Sequence, residues 1–461
     1  VFVISQIGFA WDPFKDGKTS VRAGFGYFRD RNFFNITGDT RANPPLELPY
    51  VNNAFASLGP TPAGQISNIP LPVTQPPPTP SLVDFTLPNP PVNSASFPAT
   101  IDPNFHVAYV QQRSLGIQRD LGDHFTLEVN YVGNKGNRLL RVIDGNPPIP
   151  ALVAQLRAYC QNPSNAFGCV DSPTQTTVQG SNLYIGEQLG VLPFNAVNNS
   201  GAFHANTVAS VANSNYNALQ STLTRQFSHG MGFQVNYTWA HAIDDASDPF
   251  RPQLGEFVFP ADTFDLKAEK GSSSFDVRNR LVFNYTAELP FGRGKDRLSS
   301  GILGRVLEGW SWAGIGTFQS GFPFDVFAPG DDSNGTGALQ RADFDPNGTR
   351  VPITMPLTQT GPNPGLFSFP AFGGPGNLGR NHFVGPAYKN FDMVIAKNTK
   401  LSERFMLEFR SEYYNVFNHP NFQPPDNFIS DASFGQSTAE VGRNDGTTGA
   451  RQLQFGMKFH F

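Results

Sequence analysis

Strict alternation of apolar and polar side chains in short runs is the feature that most narrows what this chain can become. A strand sends successive side chains to opposite faces, whereas a helix repeats on a longer period, so period two selects strands. In the closing run RQLQFGMKFHF, Leu453, Phe455, Met457, Phe459 and Phe461 fall on one face, with Gln452, Gln454, Gly456, Lys458 and His460 on the other. FTLEVNYV sets Phe125, Leu127, Val129 and Tyr131 against Thr126, Glu128, Asn130 and Val132. FQVNYTW sets Phe233, Val235, Tyr237 and Trp239 against Gln234, Asn236 and Thr238, and LVFNYTAEL, GWSWAGIGTF and MLEFRSEYY are further copies. Helical spacing fits none of them.

With their flanks, these runs predict about eleven strands, beginning near residues 1, 18, 107, 124, 216, 232, 278, 308, 387, 404 and 451. Their connections alternate. DPFKDG, RDLGDH, SHGM and NTKLSE are tight, and PFGRGKDRLSS, although longer, occupies a tight-turn slot. The others are long, at about 29–106, 142–215, 241–277, 322–386 and 418–450, and sixteen of the 40 prolines lie between Asn43 and Pro103, where they cannot donate to a ladder. Short turns on one side and long loops on the other are the grammar of an all-β, antiparallel transmembrane β-barrel, with the short turns in the periplasm. Both chain ends then lie on the periplasmic side. An odd strand count follows, so the reading expects the carboxy-terminal portion of a larger barrel, with at least one strand preceding Val1.

Composition agrees. Hydrophobic residues make up 39% and charged residues 15%, with 43 phenylalanines, an aromatic weighting that suits neither a soluble enzyme nor a solvated disordered chain. A net charge of −4 nominates no nucleic acid partner and no polybasic anchor. No apolar stretch reaches the roughly 20 residues of a spanning helix, which says nothing against strands. Val1 opens directly into VFVISQIGFAW, so no signal peptide is read. No P-loop, HExxH, nucleophile elbow or dinucleotide fingerprint occurs, so the sequence gives enzyme chemistry and cofactors no foothold.

Seven blocks in order carry a family resemblance: GFAWDPFKDGKTSVRAGFGYFRDR, YVQQRSLGIQRDLGDHFTLEVNYVGNKGNRL, NYNALQSTLTRQFSHGMGFQVNYTWAHAIDD, FDVRNRLVFNYTAELPFGRGK, GWSWAGIGTFQSGFPF, YKNFDMVIAKNTKLSERFMLEFRSEYYNVFNHPNF and QFGMKFHF. Together they resemble Oar-like TonB-dependent transporters and cover most strands but not the long loops. The resemblance implies a 22-stranded barrel in the outer membrane, plugged by an upstream globular domain and coupled to TonB, through which a large or scarce solute enters. Adhesion or export on the same fold, or an unplugged porin-like channel, are the competing readings.

The candidate residues each have a plain alternative. Phe461, Phe459, Met457, Phe455 and Leu453 look like the terminal strand recognised by the barrel-assembly machinery, and would face outer-membrane lipid in either case. Tyr27, Phe28, Tyr131, Tyr237, Trp239, Trp310, Trp312 and Phe318 sit toward strand ends, as an aromatic girdle at the headgroups or as a carbohydrate-stacking platform. DFDPNG, with Asp343, Asp345, Asn347 and Gly348, opens like a calcium loop, but Thr354 stands where the closing Glu belongs, leaving an Asx-rich turn. His241, Asp244 and Asp245 are a metal site, an acid–base group, or more simply a polar cluster at the lumen edge or outside. Glu128, Gln220, Thr222, Glu288, Glu408, Arg410 and Glu412 form a wet inner wall, or contact a plug or solute. Cys160 and Cys169 are either bridged or two free thiols.

Overall fold

The computed structural model describes residues 6–29, 99–145, 206–247, 259–292, 300–328, 340–349, 363–370, 375–442 and 449–461, with a few isolated positions between them. Eleven strands follow one another in chain order across a single antiparallel sheet: β1 (Gln6–Trp11), β2 (Thr19–Arg29), β3 (Tyr109–Gly122), β4 (Phe125–Asp144), β5 (Asn206–Ser228), β6 (Met231–Asp244), β7 (Asn279–Glu288), β8 (Trp310–Gln319), β9 (Tyr388–Lys400), β10 (Met406–Tyr414) and β11 (Gln452–His460). Two short segments join it off this path, Ala99–Ile101 lying parallel to β5 and Gly271–Ser272 antiparallel to β6. Among the described residues β1 and β11 do not pair, so the sheet is an open wall.

Every hairpin turn lies on one edge and every long connection on the other. Asp123–His124 and His229–Gly230 reverse the chain in two residues, all four at positive φ, the twist that matches a tight hairpin to its strands. At Asp12 one carboxylate accepts the amides of Phe14, Lys15 and Gly17 (3.2, 3.0 and 2.9 Å), closing the first turn on itself.

Register fixes the two faces. Leu407, Phe409, Ser411 and Tyr413 of β10 stand opposite Phe459, Met457, Phe455 and Leu453 of β11, while Glu408, Arg410 and Glu412 stand opposite Lys458, Gly456 and Gln454. The apolar face is bare: Ile7, Trp239, Phe455 and Met457 are all more than half exposed. Burying such side chains is worth roughly 2 kcal/mol each, so a face of them in water is untenable, and hydrocarbon is the solvent that suits it. On this face Gly316 and Gly314 leave hollows where the rings of Phe283 and Tyr285 lie, and Phe391 stacks on both at 5.9 and 6.4 Å. Aromatic rings laid over strand glycines pin the register of β7, β8 and β9.

The structure corrects three expectations. β4 and β5 do not stop near residues 142 and 216: they pair on to Asp144 and Asn206, projecting past the wall and closing a small core at Val142 and Val208, with Ile101, Phe105 and Phe259 against it. The turn between β7 and β8 contains a helix, α1 (Gly301–Leu307), that alternation did not foretell. Phe28 does not share Tyr27's face. It stands with Gly24 and Gly26 on the polar side of β2, its ring 3.0 Å from where a Cβ on Gly26 would be, because consecutive strand residues must point opposite ways.

Candidate functional site

On the edge bearing the long connections, segments distant in sequence fold together into a cap. Phe324, Val326, Ala328, Ala342 and Leu378 from the β8–β9 connection and Phe434 from the β10–β11 connection form one buried cluster, with Phe344, Phe367 and Phe383 packed against it. Main-chain bonds join the same two connections: Phe327 N–H donates to Asn427 O (2.8 Å) and Ile429 N–H to Phe327 O (2.9 Å). Asn421 adds a side-chain clasp, accepting from Lys389 N (2.7 Å) and donating to Lys389 O (3.0 Å) at the start of β9. Loops carrying their own core and hydrogen bonds hold one shape without a ligand.

Ion pairs tie this core to the rim of the wall. A turn of 3₁₀-helix at Leu266–Glu269, capped by Asp265, carries Glu269 into the interior. Its carboxylate accepts from Arg341 (Nη2 to Oε1 2.8 Å, Nη1 to Oε2 3.3 Å), lies 3.3 Å from Arg141 Nη2, and accepts the Ala261 amide at 3.1 Å. Arg380 completes the lattice: it pairs with Asp244, and donates to Glu269 O (2.6 Å), Asp244 O (2.6 Å) and Ser247 Oγ (3.1 Å). Arg141, Asp244 and Glu269 are each under 5% exposed. Charges so buried persist only when paired, which makes these the fixed points of the cap, although Arg141 Nε is left without a hydrogen-bond partner. Burial by itself pushes the Glu269 carboxyl up, but the Arg341 and Arg141 guanidiniums outweigh it and hold the group below its ordinary range. Asp325 goes the other way: burial raises it despite the Asn381 amide bonded at 2.6 Å and the charges of Arg341 and Arg380.

The polar face beneath the cap carries the inner-wall residues foreseen from sequence. Glu128 accepts from Asn130 (2.7 Å), Thr222 donates to Asn236 (3.1 Å), and Glu288 binds Lys295 (2.7 Å). Gln220 lies opposite Asn130 and Thr238 on the same face. Glu408, Arg410 and Glu412 form a ladder with His460 at its foot (Arg410 to Glu408 3.0 Å, His460 to Glu408 3.3 Å).

The girdle residues other than Phe28 occupy the apolar face. Toward the cap, Tyr131 OH donates to Asn217 (2.7 Å) while accepting from Arg113 (3.1 Å), and Tyr237 OH donates to Asn279 (2.8 Å). Trp239, Phe318 and Tyr27 share that face, and Trp310 and Trp312 lie at the opposite, short-turn rim. Rings with one apolar and one bonded end are the chemistry of a membrane boundary. Phe461 is 95% exposed and stacks on Phe459 at 6.5 Å.

His241, Asp244 and Asp245 do not converge. His241 and Asp244 point to opposite faces of β6, Asp244 is held by Arg380, and Asp245 accepts from Asn213 (2.8 Å). In DFDPNG, Asp343 accepts the Asn377 amide (2.8 Å) and Asp345 that of Asn347 (2.9 Å), so a backbone amide takes one oxygen of each carboxylate. Among the described residues no group of three His, Cys, Asp or Glu side chains gathers for a metal. Cys160, Cys169, Thr354 and the proline-rich stretch TQPPPTPSL lie outside the described residues. Sequence reasoning missed Glu269, Arg341 and Arg380: Glu269 stands among other charged loop residues, Asp265, Lys267 and Lys270, and Arg341 beside Asp343 and Asp345, and no sequence signal separates the buried ones from the rest.

An antiparallel wall with one hydrocarbon-ready face, one wet face, tight turns at one rim and folded loops at the other defines a transmembrane β-barrel protein. A sequence-family model described as outer membrane beta barrel domain matches residues 6–454, and the chain belongs to that family and to the outer membrane. Among solved structures it is similar to the ferripyoverdine receptor of the outer membrane of Pseudomonas aeruginosa bound to ferripyoverdine (10% identity, TM-score 0.40, covering 99% of this chain and 32% of that one). It is similar also to the outer membrane transporter YddB from Escherichia coli (8%, 0.38, 98% and 39%) and to the ferric-catecholate import receptor Fiu from E. coli K12 (7%, 0.38, 99% and 34%). The chain thus spans about a third of the length of these structures. No curated protein matches it.

Proposed function

We propose that this chain forms the later wall and outer loops of a TonB-dependent transporter of the Oar-like kind, whose whole protein takes up a large or scarce solute across the outer membrane. In that reading the wall belongs to a 22-stranded barrel, an upstream plug fills the lumen against the polar face, and TonB supplies the energy. The observation that carries it is the preformed cap. Glu269, Arg341, Arg141 and Arg380 fasten the outer segments to the rim of the wall, which in this reading gives a recognition surface set before any solute arrives. A passive pore has no need of such an investment in buried charge, whereas a receptor for a scarce solute gains affinity from it.

The test is a deletion strain grown under iron, carbon or nitrogen limitation, complemented with the whole gene and with the same gene lacking its TonB-contacting segment. Growth loss under one limitation, restored by the first gene and not the second, is expected. Unaltered growth under all of them, with lost surface attachment instead, would give the fold to adhesion. Restoration by both genes would leave a passive channel.

A further inference from the structure

The short-turn rim carries an apolar surface that the wall does not use. In α1, Ile302, Leu303 and Val306 are 83, 64 and 52% exposed, and only Gly304 is buried. Ile302 and Val306 are four residues apart and lie one above the other, with Leu303 beside them. The location of this face follows from what holds the helix end. Trp310 Nε1 donates to Val306 O (2.8 Å), and Lys397 Nζ donates to Val306 O (2.5 Å) and Glu308 O (3.2 Å) while lying 5.0 Å from the centre of the Trp310 ring. Trp310 and Lys397 are register partners on the apolar face of β8 and β9, so α1 continues the lipid-facing surface and does not turn toward the lumen. The bend is fixed by Gly309, at φ +75° and with a Cβ position only 2.0 Å from Asn398 O. Exposed basic groups accompany the apolar ones: Arg297 and Arg305 belong to this turn.

We infer that α1 is an interfacial anchor for the periplasmic leaflet: Ile302, Leu303 and Val306 enter the acyl boundary while Arg297 and Arg305 take phosphates of anionic phospholipid. Continuity with the lipid-facing wall supplies the position, and the basic side chains supply the preference for anionic headgroups. The inference rests on the outer-membrane barrel reading.

The test uses the whole protein with its cysteines, Cys160 and Cys169 among them, replaced by Ser, folded into vesicles of phosphatidylethanolamine with a minority of phosphatidylglycerol. A fluorophore is placed in turn at Ile302→Cys, at Leu115→Cys on the apolar wall, and at His229→Cys in another turn of the same rim. Nitroxide-labelled phosphatidylglycerol or phosphatidylcholine is the quencher. Quenching at positions 302 and 115 but not 229 is expected, with phosphatidylglycerol favoured at 302 by about fivefold for each arginine engaged. Arg297→Gln with Arg305→Gln should abolish that preference and leave quenching at 115 unchanged. Position 302 behaving like 229 while 115 is quenched overturns the anchor alone and leaves a periplasmic protein as the cover. Equal quenching at 302 by both lipids overturns the preference for anionic headgroups, and loss of quenching at 115 overturns the barrel reading beneath it.

Discussion

Glu269 and Arg341, 72 residues apart, meet in a two-pronged pair with both side chains under a tenth exposed. The same carboxylate faces Arg141 from the top of β4, so one buried anion holds two guanidiniums delivered by different parts of the chain. A hub of this kind makes the loss of its parts unequal. Removing Glu269 takes the bonded carboxylate from two buried guanidiniums at once, leaving Arg341 on Leu378 O and Arg141 on Asp245 O. Removing Arg341 strands no charge, because Arg141 and the Ala261 amide still engage the carboxylate.

Glu269→Ala should therefore loosen the cap by about 3–5 kcal/mol, the usual result of leaving buried charge without its partner. Arg341→Met should cost distinctly less. Hydrogen exchange across residues 322–328 and 376–383 measures both, while the heat-dependent gel mobility of the folded wall should not move. Equal losses in the two variants would mean that Glu269 is not the hub.

The same carboxylate sets a pH dependence. Glu269 is held below its ordinary value by Arg341 and Arg141 against the push of burial, so its contribution is complete above the unfolded value near 4.3 and is lost as pH falls through the lower folded value. Asp325 has the opposite sign. Burial raises it, so ionisation inside the cap costs stability as pH rises past an unfolded value near 3.9. Asp325→Asn keeps an acceptor for the Asn381 amide and removes that cost. Its outer loops should exchange more slowly than the parent's at about pH 7, and the two proteins should converge at about pH 3, where both carry a neutral side chain. Slower exchange at both pH values would assign the effect to packing.

How much of this was legible beforehand divides at the membrane boundary. Tight turns such as Asp123–His124 and the facing of Leu453 through Phe461 could be read from sequence, because hydrocarbon and water impose period two on every strand. Phe28 was misplaced because position near a strand end was weighed without the parity that separates it from Tyr27. The cap was not legible at all. Arg341 finds Glu269 through a folded path with no period, and a charge in a loop looks the same whether it is solvated or buried. α1 left only a faint trace, the apolar spacing of Ile302, Leu303 and Val306 inside what reads as a long turn.

Gly309→Ala tests the backbone of that turn. A Cβ at this position would lie 2.0 Å from Asn398 O, on a residue at φ +75°, with Asn398 N–H already bonded to Gly309 O at 2.8 Å. Neither neighbour is a flexible side chain, so the first pair of the β8–β9 ladder must open. A loss of about 3 kcal/mol in denaturant unfolding is expected, well beyond the ~1 kcal/mol of an ordinary glycine replacement. An effect within that smaller figure would show that the turn adapts.

We propose that the last strand bears on assembly more than on stability. Phe461 touches little but Phe459, and at 95% exposure its removal should change the unfolding midpoint of the folded wall by no more than an exposed ring at a strand end usually does, about 0.5 kcal/mol. Recognition during insertion is a separate matter, since an assembly factor would meet Leu453, Phe455, Met457, Phe459 and Phe461 as one apolar face before β11 has paired with β10. Deleting Phe461 from the whole protein should lower its folded abundance in the outer membrane several-fold while protein refolded in vitro keeps the parent's midpoint. Unchanged abundance would reduce the terminal ring to one more lipid-facing side chain. An equal fall in abundance and in midpoint would place its role in the finished wall.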